Sequence, residues 1–158
     1  NLALAIIGGD SARFAPFAKL YYDAAEKFET TPGQISIHSP GLIADTDEEA
    51  IELMWPAYQA SFGRIGRERG WAPASKDSFV HEVKFGSMYV GSPETVAQKI
   101  AYAIDAVGAD RFDLKYANGP LSNTLLKKNI ELYATAVIPR VRELLADTDK
   151  ITFGSAWH

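Results

Sequence analysis

Gly8-Gly9-Asp10-Ser11 follows an apolar run and precedes a helical pattern. At such a junction free backbone N–H groups and the positive end of a helix dipole can hold a phosphate or another anion. Two glycines fall short of either phosphate-loop fingerprint, and the same residues also read as a tight turn with Asp10 or Ser11 as helix cap. Gly91-Ser92-Pro93-Glu94 offers the same pair of readings, but Glu94 would repel a phosphate and Ser-Pro is an ordinary helix start. His38 stands near the end of an extended run, where α/β enzymes place acids, bases and substrate donors. Alternation puts Ser36 and His38 on one side and Ile35, Ile37 and Ser39 on the other, which suits a structural histidine equally well. Asn118 either bonds a ligand or serves the turn Asn118-Gly119-Pro120. Arg64, Arg67 and Arg69 gather at a helix end, where cations suit the negative dipole with or without a ligand. Asp45, Asp47, Glu48 and Glu49 cluster without a histidine, so helix capping explains them better than metal ligation.

The elements that must position these residues read as strand–helix units. Leu2 to Ile7 is continuously apolar, the pattern of a parallel strand buried on both faces. Phe14, Phe17, Leu20, Tyr21, Ala24 and Phe28 then recur at helical spacing, with Pro16 in the first turn. Ile35 to His38 and Leu42 to Ala44 read as a strand interrupted at Ser39-Pro40-Gly41. Thr46 with Glu49 predicts a capping box, and Ile51, Met54, Trp55, Tyr58 and Phe62 form the buried stripe of a helix that Pro56 should bend or stop. Gly63 to Ser78 is polar and rich in turn residues, including Gly70, Trp71 and Pro73, and predicts a long connection, less ordered than its neighbours, of the kind that serves function. Ser92-Pro93 starts a helix that Gly108 ends, and Arg111 to Ala117 alternates charged and apolar residues as a third strand. A last helix over about 122–146 should kink at Pro139, and the tail 147–158 carries no period. Strands alternating with helices predict a parallel sheet with right-handed crossovers.

Composition narrows the function classes. Of 158 residues, 47% are hydrophobic and 23% charged, close to globular averages, which disfavours disorder and fibrous scaffolds. A net charge of −4 offers no broad basic surface for nucleic acid. Without cysteine there is no thiolate chemistry, and His38, His81 and His158 lack metal-ligand spacing, so no metal is expected. No apolar run approaches the roughly 18 residues that cross a bilayer, so the expectation is a soluble, cytoplasmic protein with no membrane partner. The chain begins at Asn1 inside an apolar run, as a fragment would.

Several phrases carry a family resemblance. Val90-Gly91-Ser92-Pro93-Glu94-Thr95-Val96-Ala97-Gln98-Lys99-Ile100, preceded by Gly86, resembles the VGSPE-x-VA-x-KI segment of the bacterial-luciferase-like flavin-dependent monooxygenases. Ala44-Asp45-Thr46-Asp47-Glu48-Glu49-Ala50 is similar to that family's ADT-x-EEA helix start, and Gly108-Ala109-Asp110-Arg111-Phe112 to its G-x-DRF strand entry. Ala134-Thr135-Ala136-Val137-Ile138-Pro139, continued by Val141-Arg142, is similar to its closing AT-x-V-x-P-x-VR helix. The four phrases stand in the family's order, and the match runs from about Leu2 to Leu145.

The resemblance implies an α/β fold made of the C-terminal three or so βα units of a TIM-type (β/α)8 barrel, over 1–146, followed by the tail 147–158. It implies FMN, or a deazaflavin in some branches, bound at the carboxyl ends of the strands of the full-length protein. The chemistry it implies is flavin-dependent oxidoreduction, with reduced flavin and O2 oxygenating a small organic substrate. It puts Gly8 and Gly9 beside the cofactor and His38, Ser39, Arg64, Arg67 and Asn118 toward the substrate, and names no catalytic side chain. The family's flavin-phosphate loop has no counterpart in these residues, so the chain alone is expected to be inactive and to bind flavin weakly. Three βα units leave two sheet edges, and self-association or docking to the N-terminal part of the barrel is expected. A non-catalytic interaction module of the same fold, and a phosphate-binding barrel enzyme of other chemistry, are the alternatives.

Overall fold

The computed structural model describes residues 1–70 and 73–154; Trp71 of the expected connection and the last four residues of the tail lie outside them. The extended runs form strands β1 (Leu2–Ala5), β2 (Ile35–Ile43), β3 (Tyr89–Gly91) and β4 (Arg111–Lys115). The helices are α1 (Ala15–Lys27), α2 (Asp47–Arg69), α3 (Lys76–Phe85), α4 (Pro93–Val107), α5 (Asn123–Leu132) and α6 (Ile138–Ala146). All pairings are parallel: β2 pairs with β1 from Leu2↔Ile35 to Ala5↔His38 and with β4 from Ser36↔Arg111 to Pro40↔Lys115. Beyond these, β2 pairs with β3 from Gly41↔Tyr89 to Ile43↔Gly91.

The second strand is thus continuous, against the interruption expected at Ser39-Pro40-Gly41. Pro40 falls between the last pair with β1, Ala5↔His38, and the first pair with β3, Gly41↔Tyr89, so the missing N–H costs no ladder bond to either. Gly41 is needed because a Cβ would run into the Tyr89 carbonyl. The three-residue strand β3 escaped the sequence reading because Tyr89-Val90-Gly91 is too short to show a period.

One face of the sheet is covered. Ile35 and Ile37 of β2 are buried together with Val96, Ile100, Ala103 and Val107 of α4 and Val141 and Leu144 of α6, and Leu2, Leu4, Phe112 and Leu114 pack against them. Each large side chain fully buried here stabilises the fold by about 1.5–3 kcal/mol. On the other face Ala3, Ala5, His38 and Arg111 are exposed, with Ser36 and Asp113 half-buried. The expectation that Leu2 to Ile7 is buried on both faces is therefore corrected: β1 alternates half-buried and exposed, because no second layer of the described residues covers it, and Ile7 is 63% exposed.

The helix starts follow their caps. Thr46 Oγ1 accepts from Glu49 N at 3.1 Å, and Glu49 reaches back to Asp45 N, one residue beyond the expected capping-box partner. Ser92 caps α4 and Gly108 ends it at φ 70°. Two expectations fail in the middle of the chain. Pro56 does not stop α2, which runs unbroken to Arg69, and Ser75 opens α3 with its own capping box. Of the long connection predicted from Gly63 to Ser78, residues 63–69 belong to α2 and 76–78 to α3. Trp55 and Tyr58 of α2 close on Phe79 of α3, with Tyr58 and Phe79 centroids 4.7 Å apart and Phe62 stacked on Tyr58, and this aromatic contact outweighs the local helix-breaking signals. At the end of the chain the predicted single helix is α5, a π-helical turn Tyr133–Val137 and α6, so the strain of Pro139 is absorbed one turn ahead of it. The tail, which showed no period, docks on α4 through Thr152 N to Gln98 Oε1 at 2.8 Å.

Candidate functional site at the carboxyl ends of the strands

Parallel pairing puts the last residues of β1, β2 and β4 at one end of the sheet, the end where α/β proteins bind ligands. Helix α2 leaves the end of β2 and passes over the ends of its neighbours. It is seated by Gly119, whose φ is 74° and where a Cβ would lie 2.6 Å from the Ala57 carbonyl oxygen and 2.7 Å from Ser61 Oγ. Only glycine lets the loop after β4 approach the helix backbone this closely. Asn118 Nδ2 donates to the Lys115 carbonyl and holds the same loop in shape.

Between loop and helix lies a cavity of about 430 Å³. Ile7 from the end of β1, Lys115, Ala117 and Asn118 from the end of β4, and Tyr58, Phe62, Arg64, Ile65 and Arg69 from α2 line it, with Met54 and Ser61. The lining combines apolar side chains with three cations, Arg64, Arg69 and Lys115, and among the described residues no acidic one. Burial, reinforced by the negative charge of Glu82, raises the Tyr58 phenol above its usual range, so it stays a neutral hydrogen-bonding group. Its apolar side chains can hold an organic body and its cations can orient one.

The structure brings two of the expected residues together and separates the rest. Arg64 and Asn118 share this cavity. Arg67 turns to a different cleft of about 380 Å³, with Gln59, Gly63 and Pro73. His38 lies on the uncovered sheet face in register with Ala5 and Asp113, and does not line the cavity. Ser39 is fully buried and its hydroxyl donates to the Ile6 carbonyl at 2.9 Å. Gly9 has φ 75°, and its N–H donates to Glu82 Oε2 at 3.2 Å, which also accepts from Ser87 N at 3.1 Å. A carboxylate of the chain itself thus takes the place an anion would take at Gly9, while Gly8 is exposed with open space around it. The Ser92 turn is closed in the same way: Asp47 accepts from Ser92 N at 2.6 Å and from Thr95 Oγ1 at 2.9 Å, and Glu94 pairs with Arg140.

Sequence reasoning missed Lys115, Tyr58 and Ser61. The alternation of Arg111 to Lys115 marked a strand with one polar face, which was the available signal for Lys115; Tyr58 read as core, which it also is. Lys99 was missed as well. It is buried, and its ammonium donates to the Val83 and Met88 carbonyls at 2.7 and 2.9 Å and to the Glu82 carbonyl at 3.3 Å. It therefore caps the carboxyl end of α3 and holds Glu82 beside Gly9. Burial pushes its pKa down to about 7, opposed by the charges of Glu82 and Asp10.

No family model and no curated protein matches the sequence, but solved structures match the fold. The oxygenating constituent of 3,6-diketocamphane monooxygenase from Pseudomonas putida, a type II Baeyer-Villiger monooxygenase in complex with FMN, superposes with a TM-score of 0.61 at 21% identity, over 87% of this chain and 42% of its own. The monooxygenase RslO1 from Streptomyces bottropensis gives 0.68 at 18% identity, over 87% and 41%. Coenzyme F420-dependent tetrahydromethanopterin reductase from Methanopyrus kandleri gives 0.55 at 17% identity, over 88% and 45%. The chain thus spans less than half the length of each. The parallel sheet, the order of its elements and these likenesses lead to one conclusion: the chain has the luciferase-like fold.

Proposed function

We propose that this chain supplies the C-terminal βα units of a luciferase-like (β/α)8 barrel that works as a flavin-dependent monooxygenase or oxidoreductase on a small organic substrate. The observation that carries the reading is the cavity roofed by α2 at the carboxyl ends of parallel strands, in a fold similar to that of a monooxygenase in complex with FMN. In this reading Arg64 and Asn118 face the substrate, and His38 faces the barrel interior from the uncovered sheet face. Ser39 supports the strand behind them, and Arg67 belongs to the rim of α2. The cofactor is FMN or a deazaflavin.

The turn at Gly8 and Gly9 does not fit a flavin phosphate. Glu82 occupies the N–H of Gly9, and a second anion there would be repelled. Gly8 and Gly9 then border the cofactor without holding its phosphate, and phosphate binding falls to residues outside this turn. That division agrees with the two open edges. Among the described residues β1 and β4 each pair only with β2, and Ala3, Ala5 and His38 stand exposed between them. Closure by the N-terminal part of a barrel, or by a second copy, would cover this face.

The same open edges support the second reading, a non-catalytic module that completes a partner's sheet. The coding sequence before Asn1 decides between them. Roughly 180 residues of strand–helix repeats there, enough to complete a barrel, support the enzyme; a stop or an unrelated domain supports the module.

A further inference from the structure

We propose that the cavity under α2 selects an amphiphilic anion, a ligand with a carboxylate or phosphate at one end and an apolar body at the other. The proposal rests on the functional reading of this cavity and goes beyond it by naming the ligand's chemistry. Arg64 and Lys115 come from two elements far apart in sequence, yet the fold brings both to one cavity of about 430 Å³. Neither side chain has an acidic partner among the described residues, although the chain has 20 acidic residues against 16 basic ones. Six other cations are neutralised: Lys19, Lys76, Arg111, Lys128, Arg140 and Lys150 all form ion pairs. A pair of uncompensated cations converging on a hollow, in an acidic protein, attracts an anion.

The rest of the wall sets the other half of the ligand. Ile7, Phe62 and Ile65 offer no polar partner, so a small inorganic anion would leave them in contact with water. An alkyl or aryl body would cover them while its charged end meets Arg64, whose planar guanidinium holds a carboxylate or phosphate through two donors. The charged end has two possible sources, the substrate or the phosphate of a flavin mononucleotide reaching the mouth of the barrel, and both share this chemistry.

Calorimetric titration of the chain tests the proposal with octyl phosphate, octanoate and octan-1-ol, at low salt and again with added NaCl. The two anions are expected to bind at least tenfold tighter than the alcohol, with the advantage shrinking in salt. Arg64→Gln combined with Lys115→Gln is expected to bring them to the level of the alcohol. Lys127→Gln, on an exposed cation outside the cavity, leaves the preference unchanged. Both substituted positions are exposed, and an unchanged thermal midpoint confirms that the double variant is folded. Titration with FMN and riboflavin separates the sources: a preference for FMN that the double variant abolishes assigns the anion to the cofactor, and one that it leaves intact, or none at all, assigns it to the substrate. Equal affinity for anion and alcohol, no binding of either anion, or an unaltered preference in the double variant overturns the proposal. Flavin turnover without any anion preference would sink this inference and leave the flavin reading standing. Anion binding without any flavin response, in the completed protein, would do the reverse.

Discussion

Gly119→Ala should destabilise the fold and loosen the roof of the cavity, and Gly108→Ala calibrates how much. Both glycines have positive φ, 74° and 70°, but a Cβ at Gly108 meets nothing within 4 Å, whereas at Gly119 it meets the Ala57 carbonyl oxygen at 2.6 Å. Holding an alanine in the left-handed region costs about 1–2 kcal/mol, partly offset by about 0.4–1 kcal/mol from the stiffer unfolded chain. Gly108→Ala should therefore cost about 1 kcal/mol. Gly119→Ala adds an overpacking cost of about 1–3 kcal/mol, because its obstacle is helix backbone and not the end of a flexible side chain. In a chain of this size each kcal/mol lowers the melting temperature by about 2–4 °C. The expected shifts are thus about 3 °C for Gly108→Ala and about 6–12 °C for Gly119→Ala. Circular dichroism melts of the two variants, with the double variant as a check on additivity, make the comparison. Equal shifts, or a larger one at Gly108, would refute the seating of α2 on this loop.

Two further variants probe the frame of the site. The folded pKa of Lys99, about 7, lies below its unfolded value, so between about pH 7 and about pH 10.4 the unfolded chain binds more protons and stability rises with pH. The rise is bounded at about 5 kcal/mol, and the three carbonyls that hold the ammonium reduce it; urea midpoints that stay flat over this window in the native chain, or an equal slope in Lys99→Met, contradict the assignment. Asn129 is buried and its Oδ1 accepts from Ile43 N at 2.9 Å, just where β2 passes to β3. Asn129→Ala leaves that buried N–H orphaned and should cost about 1–3 kcal/mol in urea unfolding, and a change below 0.5 kcal/mol would show that another group takes over the bond.

The parts legible in the sequence were those whose cause is local. The caps at Thr46 and Ser92, the stop at Gly108 and the apolar or alternating runs of β1, β2 and β4 each announce themselves within a few residues. The parts that were not legible depend on distant partners. Pro56 and Gly63 speak for a break in α2, and the break is absent because Phe79 of α3 holds the helix from outside. Gly9 looks like an anion site until Glu82, 73 residues away, is seen to fill it. Lys115 and Arg64 become one site only after the sheet has set the end of β4 beneath α2. Ser39 and His38 are neighbours in sequence, but the pleat sends one into the core and the other to the open face.

FMN titration of the purified chain, with its size measured in the same samples, tests the account most directly. The account predicts that a single copy, with β1 and β4 open and Gly9 already occupied, binds FMN no tighter than micromolar, and that any tighter binding comes only with larger species that protect Leu2 to Ile7 from hydrogen exchange. A monodisperse monomer that binds FMN with a sub-micromolar Kd, with Leu2 to Ile7 protected by its own chain, would contradict it.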